Sequence, residues 1–71
     1  MKNALEETMT TEIIAAKRIT RFEFMDRNHA FSFADRCHKM QMVILGCNER
    51  FWVVGMADGE HLIRNRYEAA H

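Results

Sequence analysis

The stretch MQMVILGCNERFWVVGMADGEHL, Met40–Leu62, decides the fold. Two runs inside it, Val43–Leu45 and Phe51–Val54, are apolar at consecutive positions. A strand with one wet face alternates polar and apolar residues, because successive side chains point to opposite faces. These two runs do not alternate, so both faces of each need cover. Met40–Cys47 reads as a strand, Asn48–Arg50 as a turn and Phe51–Gly55 as the next strand, together an antiparallel hairpin. Gly46 and Gly55 mark bulges or strand ends.

Beyond the hairpin, Asp58 reads as a helix N-cap with Glu60 in the first turn, where the helix dipole favours a carboxylate. Leu62 and Ile63 then face inward, Asn65 caps the C-terminus and Tyr67 packs just past it. Before the hairpin, Asp26–Met40 admits two readings. As a helix capped by Asp26 or Asn28, it places Ala30, Phe33, Ala34 and Cys37 on one face and Arg27, Asp35, Arg36 and Lys39 outside. As a hairpin, Phe31 and Phe33 would pair with Phe22 and Phe24. The helix is preferred, because its apolar face persists for two turns. Phe22 and Phe24, with Glu23 between them, mark Arg18–Met25 as a half-buried strand. Residues 1–17 carry the stripe Leu5, Met9, Ile13 and Ala16 and read as an N-terminal helix at the periphery.

The expected architecture is a small α+β domain spanning residues 1–71 in the order α–β–α–β–β–α. Its three-stranded, antiparallel-containing sheet carries the second and third helices on one face. The other face needs a lid. The N-terminal helix, a second copy of the chain or a different protein could supply it. A chain of 71 residues buries a small core, so a partner is a common supplement.

Composition narrows the function classes. Hydrophobic residues make up 48% and charged residues 28%, a globular balance. Ten Lys and Arg oppose ten Asp and Glu, which fits neither a general nucleic-acid binder nor an acidic DNA mimic. Residues 17–50 hold seven bases against four acids, a mildly basic middle. No apolar run reaches the length of a membrane span, and no signal-peptide core is visible. The two cysteines make no secreted disulfide framework. A cytoplasmic protein with reduced thiols is expected.

Chemical constellations are sparse. His29, Cys37, His38, Cys47, His61 and His71 lack the paired spacing of zinc ligands. Cys37 has no local third group to complete a nucleophilic site. Gly46, Gly55 and Gly59 match no phosphate loop. No enzyme activity and no cofactor are expected. Arg36, His38 and Lys39 form a basic helix face, but Glu23, Asp35 and Glu49 interleave with the wider basic set. Phe22, Phe24 and Trp52 could stack bases, yet they read better as core. Met25, Met40, Met42 and Met56 flank the sheet, as core filler or as an adaptable binding surface. If a sheet face is open, Trp52 and Arg50 are its anchors, with Met42 and Ile44 beside them and Arg36 and Lys39 as polar contacts. On that reading Trp52→Ala abolishes association and spares the fold; unfolding would place Trp52 in the core.

The segment VILGCNERFWVVGMADGEHL, Val43–Leu62, resembles the strand–turn–strand–acidic helix ending of small proteins from phages and mobile elements. Some anti-CRISPR proteins carry a similar VILG, an Asn, an apolar strand and a polar start to the last segment. Many of them are acidic, whereas this chain is neutral. The resemblance implies a non-catalytic inhibitor that blocks a bacterial CRISPR–Cas complex by steric occlusion, with a larger bacterial protein as partner. The rival expectation is a small dimeric nucleic-acid-binding regulator that uses the basic middle of the chain.

Overall fold

The expected hairpin forms, and it lies between two helices. The computed structural model describes residues 9–71. Its elements are β1 (Met9–Ile14), β2 (Lys17–Phe24), α1 (Arg27–Arg36), β3 (Gln41–Leu45), β4 (Phe51–Gly55), α2 (Met56–Arg64) and β5 (Glu68–Ala69). The strands form one sheet in the order β1-β2-β4-β3-β5, antiparallel throughout. The class is α+β; among the described residues there are five strands and two helices, where three strands were expected with helices on one face.

The β3–β4 register explains the doubly apolar runs. Val43 faces Val53, and Ile44 faces Trp52. Val43 and Val53 join Phe24 and Ala30 in a core beneath α1. Ile44, Trp52 and Val54 join Ile19 and Leu62 in a second core beneath α2. Each face of the hairpin therefore has its own helix. The expectation that both helices share one face is corrected.

The N-terminal helix is also corrected over its described part. Residues 9–14 form β1, and Ala15 and Ala16 form a two-residue reversal between Ile14 and Lys17. Residues 1–8 of that expected helix lie outside the described residues. Ala15 and Ala16 have φ of 50° and 68°. A pair of positive φ values in a two-residue loop is the signature of the type I′ hairpin turn, which Asn-Gly normally fills. Each L-alanine in this conformation carries a steric penalty of roughly 1 kcal/mol. Ala15→Asn with Ala16→Gly is therefore expected to stabilise the protein by about 1 kcal/mol, a Tm rise of roughly 4–8 °C in a thermal melt. An unchanged or lower Tm would count against this turn.

Asp26 caps α1, its carboxylate accepting from the His29 amide at 2.9 Å. The helical reading of this segment holds, over Arg27–Arg36. Phe33 projects from α1 onto Phe22 and Phe24, with ring centroids 4.7 and 5.2 Å apart. The contact that a hairpin would have made is thus made from a helix.

The start of α2 differs from expectation. Its N-cap is Gly55, without a side-chain bond, because β4 runs straight into the helix. Asp58 sits in the first turn and pairs with Lys17 instead. Leu62 is buried as expected, but Ile63 points outward. The end of α2 follows the sequence reading more closely. Asn65 is the C-cap, Arg66 adopts φ 77°, and the Tyr67 and Arg66 amides donate to the Leu62 and Ile63 carbonyls at 3.0 and 3.2 Å. This is a Schellman motif with its usual apolar contact, Tyr67 packing on the Leu62 core.

Candidate functional site

The anticipated sheet-face site is closed. Trp52 is 1% exposed and Ile44 is fully buried, both beneath α2. Met42 packs against the same core, and Gly59 of α2 lies so close that a Cβ there would overlap its side chain. Trp52 and Ile44 are thus interior residues and Met42 is half-buried against them, a correction that follows from one helix covering each face. Arg36, Lys39 and Arg50 are exposed. They do not form one patch: Arg36 and Lys39 precede β3, while Arg50 lies in the turn at the opposite end of the β3–β4 hairpin. Five residues of β3, about 16 Å of strand, separate the two positions.

One polar network surrounds Trp52, and the sequence reading missed it. The Arg21 guanidinium lies 3.9 Å over the indole. Its Nε donates to Glu23 at 2.7 Å and its Nη1 to Glu12 at 2.8 Å. Glu23 also accepts from Asn48 Nδ2 at 3.2 Å. Asn48 Oδ1 accepts from Trp52 Nε1 at 3.1 Å and from the Arg50 amide at 3.2 Å. Gly46 lets the β3–β4 turn cross the indole; a Cβ there would overlap the ring. Burial works against the charged Arg21, but the bonds and charges of Glu23 and Glu12 outweigh it and hold its pKa above the ordinary arginine value. The network is self-satisfied and therefore structural. Its available signal was the Arg–Phe–Glu run at 21–23, which places Arg21 and Glu23 on one face of a strand.

Tyr67 borders this network, with its ring centroid 5.5 Å from that of Trp52. Burial raises its phenol above the ordinary value of 10.0, and the hydrogen bond with Cys47 adds to the shift. Tyr67 also lines a groove of 660 Å³ around β5. Leu45, Phe51, Ile63 and Ala70 supply its apolar wall, with Arg27 and His71 at its polar margin. A second hollow of 380 Å³ shares Leu45, Tyr67 and Glu68 and adds Cys47 and Arg66. Leu45 and Ile63 are 40% and 41% exposed, so this is an apolar surface open to solvent. From sequence, Ile63 is expected to face inward, whereas Leu45 falls in a run whose two faces both need cover.

Cys37 and Cys47 are free thiols, and Cys37 donates to the Phe33 carbonyl at 3.4 Å. Among the described residues, no group of three or more His, Cys, Asp or Glu side chains is arranged to hold a metal ion. No described helix is long and apolar enough to cross a membrane.

The fold and groove define a small antiparallel α+β protein with a helix on each face and an apolar recess at one sheet edge. The chain matches no protein-family model, no curated protein and no solved structure.

Proposed function

We propose that this chain is a non-catalytic protein-interaction module that docks through the groove around β5. The carrying observation is the pair Leu45 and Ile63, large aliphatic side chains exposed at the wall of a 660 Å³ recess. Exposed apolar surface of this kind is a common mark of an interaction site. The fitting ligand is an apolar side chain on a larger protein, flanked by acidic groups that meet Arg27 at the groove and Arg66 in the adjoining hollow. Leu45, Arg50 and Phe51 fall inside the segment that resembles anti-CRISPR proteins, which supports the specific form of the proposal. The chain is an inhibitor from a phage or mobile element, acting in the host cytoplasm by steric block of a CRISPR–Cas complex.

The test is capture from a nuclease-treated lysate of bacteria with active CRISPR defence, followed by an interference assay. Wild-type protein is expected to retain a component of the defence complex stoichiometrically at moderate salt and to block its activity. Leu45→Glu and Ile63→Glu are expected to lose both effects while keeping the wild-type melt, since both positions are surface-exposed. Absence of such a component would overturn the inhibitor form. The regulator reading rests on Arg36, His38 and Lys39, which are all exposed at the end of α1. Retention on a nucleic-acid column that falls steeply with salt would favour it.

A further inference from the structure

We infer that β1 is a self-pairing edge through which two copies of this chain form one continuous antiparallel sheet, ten-stranded over the described residues. The two sheet edges differ. On one side the edge strand is β5, only two residues long. On the other, β1 offers six residues and, among the described residues, pairs only with β2. Natural edges of that length are usually guarded by lysine, proline or a bulge. Residues 9–14, MTTEII, contain no lysine or proline, and the β1–β2 register is unbroken. The lone charge, Glu12, is engaged with Arg21.

The phase of the hydrogen bonds decides which backbone groups are free. Ile14 and Lys17 flank a two-residue turn, so they form a hydrogen-bonded pair, and such pairs alternate along the ladder. Thr10 and Glu12 therefore direct their amides and carbonyls to β2. Met9, Thr11 and Ile13 direct theirs outward. Thr20 fits this phase: it stands opposite Thr11, and its amide points away from β1, toward Asp58 at 3.5 Å.

An antiparallel pairing of β1 with itself about a two-fold axis through Thr11 uses all three outward residues. Thr11 faces Thr11 of the second copy, and Met9 faces Ile13 of the second copy, each pair exchanging two hydrogen bonds. Met9 and Ile13 are 60% and 64% exposed and share a sheet face with Phe22. The pairing joins them into one apolar strip that continues from Phe22 across the dimer. Glu12 falls opposite Thr10. Moving the axis to Glu12 would set two carboxylates side by side, which disfavours that register. The formal net charge of zero places no general repulsion between copies. The strip is small, so the dimer is expected to be reversible rather than obligate.

The test is sedimentation equilibrium across a concentration series. Wild-type protein is expected to shift from monomer to dimer mass as concentration rises. Thr11→Pro removes an outward amide, and Ile13→Lys sets a charge on the apolar strip. Both are expected to remain monomeric with a wild-type circular dichroism spectrum, and Ile13→Lys keeps the test decisive if proline disturbs the strand. In a Cys37→Ala, Cys47→Ser background, Thr11→Cys is expected to cross-link to itself on mild oxidation, and Ile63→Cys is not. A wild-type monomer at the concentration of an NMR sample would overturn the inference. So would a dimer that persists in Ile13→Lys and fails to cross-link at position 11. Protection of β1 amides only on addition of another protein would assign the edge to that protein instead.

Discussion

Trp52→Ala is expected to unfold the protein rather than silence a binding surface. The indole is enclosed by Ile19, Ile44, Val54 and Leu62, capped by the Arg21 guanidinium and neighboured by Tyr67. Truncating a buried aromatic to alanine costs roughly 3–5 kcal/mol. A chain of 71 residues has a total stability of roughly 4–10 kcal/mol at ordinary values per residue. The substitution thus removes a large share of what holds the fold. The expected observation is loss of the cooperative thermal transition or a very large fall in Tm. Trp52→Phe keeps a ring beneath Arg21 but loses the bond to Asn48, and is expected to melt lower yet cooperatively. A Trp52→Ala protein with a near wild-type melt would show that the indole is not enclosed.

Arg21→Met should produce the second large effect, by stranding two carboxylates. The Arg21 side chain is 7% exposed and bridges Glu12 on β1 to Glu23 on its own strand. Deleting one member of a buried ion network costs roughly 3–5 kcal/mol, mainly because the remaining charges lose their partner. Glu12 is half-exposed, so water compensates part of that loss. A destabilisation of about 2–3 kcal/mol in urea denaturation is expected. Adding Glu12→Gln and Glu23→Gln to Arg21→Met should recover much of it, because neutral amides need no cation. An equal loss with and without the glutamines would mean that Arg21 acts by packing on Trp52 alone.

The central hairpin was legible in the sequence because its turn is polar and its strands are doubly apolar. Phe51–Gly55 coincides with β4. The end of α2 was legible because Asn65 and Tyr67 occupy positions with distinct cap chemistry. The first strand was not. Met9 and Ile13 are four apart, and residues four apart share a face in a helix and also in a strand. The stripe could not separate the two, and an Ala-Ala turn carries none of the Asn or Gly that usually announces a hairpin. Asp58 misled for a related reason. A carboxylate near a helix start reads locally as a cap, while its actual partners, Lys17 and the Thr20 amide, lie far away in sequence. The expected sites failed with the fold. Trp52, Ile44 and Met42 can anchor a partner only if one sheet face is left open, as it is when both helices share the other. Leu45 and Ile63 become surface residues at the sheet edge and helix flank, positions that follow from strand order rather than residue type.

The far end of the β1–β2 hairpin is tied to the body from α2. Asp58 meets Lys17 and the Thr20 amide, and His61 Nε2 donates to the Ile14 carbonyl at 3.0 Å. Only Phe22–Phe24 of β2 pairs with β4. Residues 14–20 thus form one unit of local opening with the first turns of α2, despite their distance along the chain. When that helix end frays, the hairpin loses its anchors together, and solvent reaches the Thr20 amide before the strands of the central hairpin separate.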